Sequence, residues 1–162
     1  MGSKNKLLVF DLDYTLWPFF VDTHVDPPFR KNDKGDIVDT SGRKVKYYPE
    51  VPKMLETLHS EGYTLAVASR TSEIKGANQL LQLFDWDKYF SYKEIYPGCK
   101  VTHFNNFRKD SKMEYKNMIF FDDERRNIVD ISKLGVTSIL VNNGMTMTVA
   151  KEGLEQHTKQ DH

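Results

Sequence analysis

The stretch Lys6 to Leu16, KLLVFDLDYTL, constrains this chain more than any other. Leu7 to Phe10 is an uninterrupted apolar run, as a strand buried on both faces of a parallel sheet requires. Two carboxylates, Asp11 and Asp13, follow at or just past its end. Residues two apart on an extended chain point to the same side, so both acids can face one site, with Thr15 on the same parity. Neighbouring carboxylates raise each other's pKa and need a cation or a proton to offset them. On this stretch alone, a pair of solvated aspartates in a turn is the competing reading, and the rest of the chain decides between the two.

After Leu16 the pattern turns irregular. The turn sequences Asp26-Pro27-Pro28, Asn32-Asp33-Lys34-Gly35 and Thr40-Ser41-Gly42-Arg43 punctuate it, the last two flanking Asp36 to Asp39. These signals predict a β-hairpin flap over about 19–48, dense in aromatics (Trp17, Phe19, Phe20, Phe29, Tyr47, Tyr48) that either seal it onto the body or meet a substrate. From Pro49, apolar residues at Val51, Met54, Leu55 and Leu58 mark an amphipathic helix that Gly62 ends.

Tyr63 to Ala68 reads as a strand ending at Ser69-Arg70-Thr71, with Thr71 or Ser72 capping a helix that carries Ile74, Ala77, Leu80, Leu81 and Phe84. A strand near Tyr89 to Ile95 and a short helix with Phe104 and Phe107 come next. A strand over Asn117 to Phe121 then runs into Asp122-Asp123. A helix with Ile128, Ile131 and Leu134 is closed by Gly135, a strand spans Thr137 to Val141, and a last helix runs from Met145 to about His157. Alternating strands and helices predict an α/β, doubly wound (Rossmann-like), mostly parallel sheet of about five strands with helices on both faces.

A length of 162 residues suits one domain, 1–162, with a frayed polar tail over about 158–162. Lys+Arg and Asp+Glu are both 23, so no overall field draws the chain to nucleic acid or to an anionic membrane. Cys99 is the only cysteine, and no signal-peptide or membrane-length apolar run is present. A cytoplasmic protein, with a monomer favoured, is the expectation.

Ligands of an open parallel sheet bind beyond the carboxyl ends of its strands. That rule gathers Asp11, Asp13, Ser69, Asp122 and Asp123 on one rim, with Lys100 at the start of a helix beside them. Four acids on one rim need a hard cation, and carboxylate, carbonyl and water ligands suit Mg²⁺. A metal, an ammonium and a hydroxyl can share the non-bridging oxygens of a phosphoryl group. Lys93, Lys109 and Lys112 are weaker partners than Lys100, which opens its helix. Cys99 lacks the arginine six residues on that a cysteine-based phosphatase needs, since Asn105 stands there, and the histidines show no zinc-ligand spacing with it.

The order DxDxT, strand-terminal Ser, Lys and Asp-Asp resembles the haloacid dehalogenase superfamily, from Leu7 to about Val141, and is most similar to its small magnesium-dependent phosphatases. The resemblance implies that Asp11 is the nucleophile, forming an aspartyl phosphate, and that Asp13 is the general acid and base. It implies phosphate or substrate contacts from Leu12, Ser69 and Lys100, and Mg²⁺ held by Asp11, Asp13 through its carbonyl, Asp123 and, through water, Asp122. Arg70, next to Ser69, either reaches a substrate group beyond the phosphate or is an unpaired surface arginine. Asn127 stands where the family pattern has a further acid, a departure from that pattern. The short gaps after the first and second motifs imply no cap domain, and hence a small-molecule or protein-borne phosphomonoester such as phosphotyrosine or a sugar-type (fructosamine) phosphate.

Two other readings stay open at this stage. A capless nucleic-acid-end phosphatase would draw on Arg43-Lys44-Val45-Lys46. A phospho-accepting or binding signalling module on the same α/β fold uses similar groups, but places its paired acids early and its accepting Asp in the middle.

Overall fold

A computed structural model describes residues 5–160. Five parallel strands form the central sheet: β1 (Leu7–Phe10), β4 (Thr64–Ser69), β5 (Phe90–Ile95), β6 (Met118–Asp122) and β7 (Thr137–Leu140), in the order β5-β4-β1-β6-β7. The chain moves outward from β1 through β4 to β5, then crosses back to β6 and β7. This places β1 at the centre, where the direction of winding reverses and an open α/β sheet forms its crevice. Phe10 lies opposite both Val67 and Phe121, so Asp11, Ser69 and Asp122 all reach the same carboxyl edge.

Strand alternation splits the apolar residues between two layers. Leu8 and Phe10 pack with Met54, Leu55 and Leu58 of α1 (Val51–Ser60), with Ala77, Leu80 and Leu81 of α2 (Ile74–Leu83), and with Ala150 of α5 (Met147–Gln160). Leu7 and Val9 point to the other face, against Phe104 and Phe107 of α3 (Lys100–Ser111) and Ile131 of α4 (Arg125–Ser132). Each fully buried Leu or Phe contributes about 1.5–3 kcal/mol relative to its exposed state, so these faces hold the helices to the sheet. α5 approaches so closely that a Cβ on Gly153 would lie 2.6 Å from Phe121 Cζ.

The segment between β1 and α1 carries the expected hairpin, β2 (Arg30–Lys31) with β3 (Ile37–Val38), antiparallel. Its turn is fixed by Asn32 Oδ1, which accepts the amides of Lys34 at 3.0 Å and Asp36 at 2.9 Å. Trp17, Phe19 and Phe29 are buried and seal the flap to the body, whereas Phe20 and Tyr47 remain exposed.

Several sequence expectations need correction in detail. α2 is capped by the Glu73 carboxylate, which accepts the Gly76 amide at 3.0 Å, rather than by Thr71 or Ser72. Thr71 instead accepts the Glu73 amide in the preceding turn. Ile74, expected on the buried face, is exposed in the first turn of that helix. Leu134 and Phe84 lie past the ends of their helices. α3, expected as a short helix, spans 12 residues. α5 starts at Met147 and continues through Gln160, so 158–160 are helical where a frayed tail was expected; 161–162 fall outside the described residues.

Candidate active site

The turn after β1 is wound tightly about one carbonyl. Leu12 O accepts the amides of Thr15 at 3.0 Å and Leu16 at 2.8 Å, and Tyr14 takes a left-handed φ of 59°. A non-glycine residue at positive φ is uncommon and clusters at functional turns. Leu12 buries its side chain in the core, so only its backbone can face the cleft. The turn presents both acids while letting them differ in environment.

Asp11 is nearly buried. Its Oδ1 accepts Lys100 Nζ at 2.9 Å and its Oδ2 accepts the Thr15 hydroxyl at 3.1 Å. Thr15 therefore holds the orientation of Asp11. Burial, reinforced by the neighbouring Asp122, pushes the Asp11 carboxyl well above the usual range, with Lys100 opposing. Asp13 is partly buried, and a single oxygen, Oδ1, accepts both Trp17 Nε1 at 2.8 Å and the Val21 amide at 3.0 Å. Burial pushes Asp13 up to about 6, against the stabilising pull of those two donors.

Lys100 is 2% exposed and bridges the two central strands: its Nζ lies 2.9 Å from Asp11 Oδ1 and 2.6 Å from Asp122 Oδ2. Burial alone would lower its pKa, but Asp11 and Asp122 outweigh burial and hold the ammonium above its ordinary value. Asp122 accepts two further donors. Its Oδ2 also accepts Asn127 Nδ2 at 2.9 Å and its Oδ1 accepts the Glu124 amide at 2.9 Å. The departure from the family pattern at Asn127 thus has a structural role: an amide donates to Asp122 where a carboxylate would repel it.

Asp11, Asp122 and Asp123 each offer a carboxylate oxygen, and the three lie within 4.8 Å of one another. One ammonium cannot balance three clustered carboxylates, and burial with the neighbouring Asp122 raises Asp123. The donor set, all hard oxygen, fits a divalent cation such as Mg²⁺. Asp123 is half-buried where Asp122 is fully buried, and so is the more open carboxylate of the pair.

Ser69, at the end of β4, accepts the Thr71 amide on Oγ at 3.2 Å, leaving its proton to donate elsewhere. Ser69, Lys100, Asp11 and Asp13 line one cleft of ≈ 260 Å³ together with Arg70 and Phe20. Arg70 reaches across it, with Nη1 3.5 Å from Asn127 Oδ1 and 4.0 Å from Glu124 Oε2. Asp11, Asp13, Ser69, Arg70, Lys100, Asp122 and Asp123 therefore lie on one rim, whereas the Leu12 side chain is buried in the core. The sequence did not reveal Trp17 as the partner of Asp13, although their spacing of four across the turn was visible. Nor did it reveal Thr71 as a wall of the cleft.

A sheet with this winding, carboxylates at the end of its central strand and a buried lysine between them define a haloacid dehalogenase-type hydrolase. A similar fold occurs in a haloacid dehalogenase-like hydrolase of Streptococcus pneumoniae (TM-score 0.65, 13% identity, 96% of this chain and 91% of that one). The acid phosphatase family profile matches residues 4–160, and the chain belongs to that family. It is 59% identical over 159 residues to human magnesium-dependent phosphatase 1, covering 98% of this chain and 90% of that protein. It is 41% identical over 143 residues to a HAD-like hydrolase superfamily protein of Schizosaccharomyces pombe, covering 82% of this chain and 83% of that protein. The protein is accordingly a phosphatase.

Proposed function

We propose that this phosphatase hydrolyses phosphomonoesters in two steps through an aspartyl phosphate on Asp11. The observation that carries the reading is the division of labour within the first turn. Asp11 is held by Lys100 and Thr15 and directed to the cleft, whereas Asp13 is pinned on one oxygen by Trp17 and Val21. The second oxygen of Asp13 is left to handle protons. In the first step an Asp11 oxygen bonds to phosphorus, the ester P–O bond breaks, and Asp13 gives its proton to the departing oxygen. In the second, water attacks the same phosphorus, Asp13 takes the proton, and the bond to Asp11 breaks to release inorganic phosphate.

The cofactor is Mg²⁺, in keeping with the name of the human relative and with the three converging carboxylates. Asp11 and Asp123 would hold it by their side chains, Asp13 by its carbonyl and Asp122 through water. Bound there, the ion offsets the charge of the carboxylates and of the phosphoryl group. Ser69 donates its free proton to a phosphoryl oxygen, Lys100 adds positive charge, and the Leu12 backbone lines the approach.

The preferred substrates are small aryl or sugar phosphates, phosphotyrosine or a fructosamine phosphate, free or protein-borne. Exposed Phe20 offers a flat apolar face at the mouth, and Arg70 offers a fork for groups beyond the phosphate. Arg126 and Arg70 are matched there by Asp22 and Glu124, a balance that suits a small substrate better than a nucleic-acid end. A single 1–162 domain acting as a cytoplasmic monomer completes the reading. The test is turnover of these esters and of nucleotides in one panel, with Mg²⁺ and with chelator. Activity that survives chelation contradicts the mechanism, and equal turnover across the panel contradicts the preference.

A further inference from the structure

His103, one turn along α3 from Lys100 and 0% exposed, is a titratable group that the mechanism leaves unused. Its Nε2 lies 2.9 Å from the Ser69 carbonyl and 3.0 Å from the Tyr96 carbonyl. Nδ1 faces the Cys99 carbonyl at 3.3 Å, but the two nearer acceptors at Nε2 favour the proton there, and in that tautomer the imidazole donates to both the Ser69 and Tyr96 carbonyls. The Ser69 carbonyl also accepts the Tyr96 amide at 3.1 Å. The Tyr96 ring stacks on the imidazole at 4.2 Å between centroids and 15° between planes. Tyr96 is itself fixed, its hydroxyl donating to Glu94 and accepting Asn106 Nδ2 at 3.0 Å. One side chain thus joins the carboxyl ends of β4 and β5 to the first turn of α3.

We propose that His103 is a positioning residue for phosphate binding and turnover. It sets the Ser69 hydroxyl, carried by β4, in register with the Lys100 ammonium, carried by α3. These are the only groups in the cleft that the two elements contribute as donors to phosphate in the reading above, on which this inference rests. Among the described residues no hydrogen bond joins the Ser69 and Lys100 side chains directly. Lys100 is tied to β1 and β6 through Asp11 and Asp122, and Ser69 is tied to its own turn through Thr71. Apolar packing of Phe104 and Phe107 holds α3 against the sheet, and the imidazole adds a hydrogen-bonded tie at the site end of both elements, where a misplacement of about 1 Å in a phosphate socket is costly in rate.

The test compares His103→Phe, which keeps a ring against Tyr96 but has no donor, with His103→Gln, whose amide can reach the same carbonyls. Steady-state hydrolysis of an aryl phosphate with Mg²⁺ and competitive inhibition by inorganic phosphate are read together with thermal melting. His103→Phe is expected to lower kcat about 10- to 100-fold and to weaken phosphate inhibition, with His103→Gln recovering most of both at a similar melting temperature. Should His103→Phe fail to fold, His103→Asn takes its place, a polar side chain too short to reach both carbonyls, with the same expected loss.

Loss of activity only in proportion to the unfolded fraction, or no recovery in His103→Gln, overturns the proposal. Ser69→Ala separates it from the reading beneath. Weaker phosphate inhibition in Ser69→Ala but not in His103→Phe sinks the positioning role alone. No change in either variant sinks the phosphate socket and this role with it.

Discussion

The Trp17 indole donates to Asp13 Oδ1 at 2.8 Å, the same oxygen that the Val21 amide reaches at 3.0 Å. The flap is therefore anchored on the carboxyl to which the proposal gives the proton transfers, and a buried aromatic that closes the fold also sets the angle of that carboxyl. Trp17→Phe keeps the stacked packing against Phe19 and Trp86 but removes the donor. Proton donation matters most when the leaving oxygen is basic, so kcat for a sugar phosphate should fall about 10- to 100-fold. Nitrophenyl phosphate, whose leaving group needs no proton, should suffer much less. Equal losses on both substrates would assign Trp17 a packing role alone.

Metal binding should be visible as stability. Asp11, Asp122 and Asp123 repel one another, and a cation bound by the folded state but not by the unfolded chain adds about 2.7 kcal/mol at 100 times its dissociation constant. The melting temperature should rise with Mg²⁺ and fall back with chelator. Asp123→Asn removes the most open of the three carboxylates and should abolish most of the rise. An undiminished Mg²⁺ response in that variant would move the metal elsewhere.

His103 gives a pH dependence whose sign follows from its surroundings. Burial lowers its pKa below 6.5, outweighing the Ser69, Cys99 and Tyr96 carbonyls, with Lys100 adding to the lowering. Above pH 6.5 neither state holds the proton and the contribution to stability is complete. As pH falls through 6.5 the unfolded chain takes up a proton that the folded chain refuses, and stability is lost down to the depressed folded value. Denaturant unfolding should show this loss in the wild type, with a slope of up to about 1.4 kcal/mol per pH unit. His103→Gln should lack that component. Parallel curves for the two proteins would contradict the assignment.

The central architecture was legible because its signals are local and strong. An apolar run such as Leu7 to Phe10 has one stable home, and the strand-end rule carried Asp11, Asp13, Ser69 and Asp122 to one edge without any knowledge of strand order. What escaped the sequence depends on competition between neighbours. Glu73 rather than Thr71 caps α2 because Thr71 is drawn into the turn behind Ser69. The hydrogen bonds of Asn127 and His103 were illegible for a different reason. Their partners, Asp122 in one case and the Ser69 and Tyr96 carbonyls in the other, are brought close only by the crossing of α3 and α4 over the sheet.

Gly153 tests the packing of α5. Alanine is the better helix former by about 1 kcal/mol, yet its Cβ would stand 2.6 Å from Phe121 Cζ and 3.3 Å from Ile119 Cγ2. Overpacking of a filled core costs about 1–3 kcal/mol, so the clash should win and Gly153→Ala should destabilise the protein in urea unfolding. A stabilised variant would mean that the helix withdraws from the sheet at little cost.

The claim that a phosphoryl group passes through Asp11 is tested most directly by trapping it. Asp13→Asn retains the nucleophile but lacks the base for the second step, so the covalent intermediate should accumulate on mixing with an aryl phosphate and Mg²⁺. Acid quenching and peptide mass spectrometry should then find one phosphoryl group on the peptide that carries Asp11, and none in the Asp11→Asn, Asp13→Asn double variant. A phosphoryl group on any other residue, or rapid phosphate release with no covalent species, would contradict the mechanism.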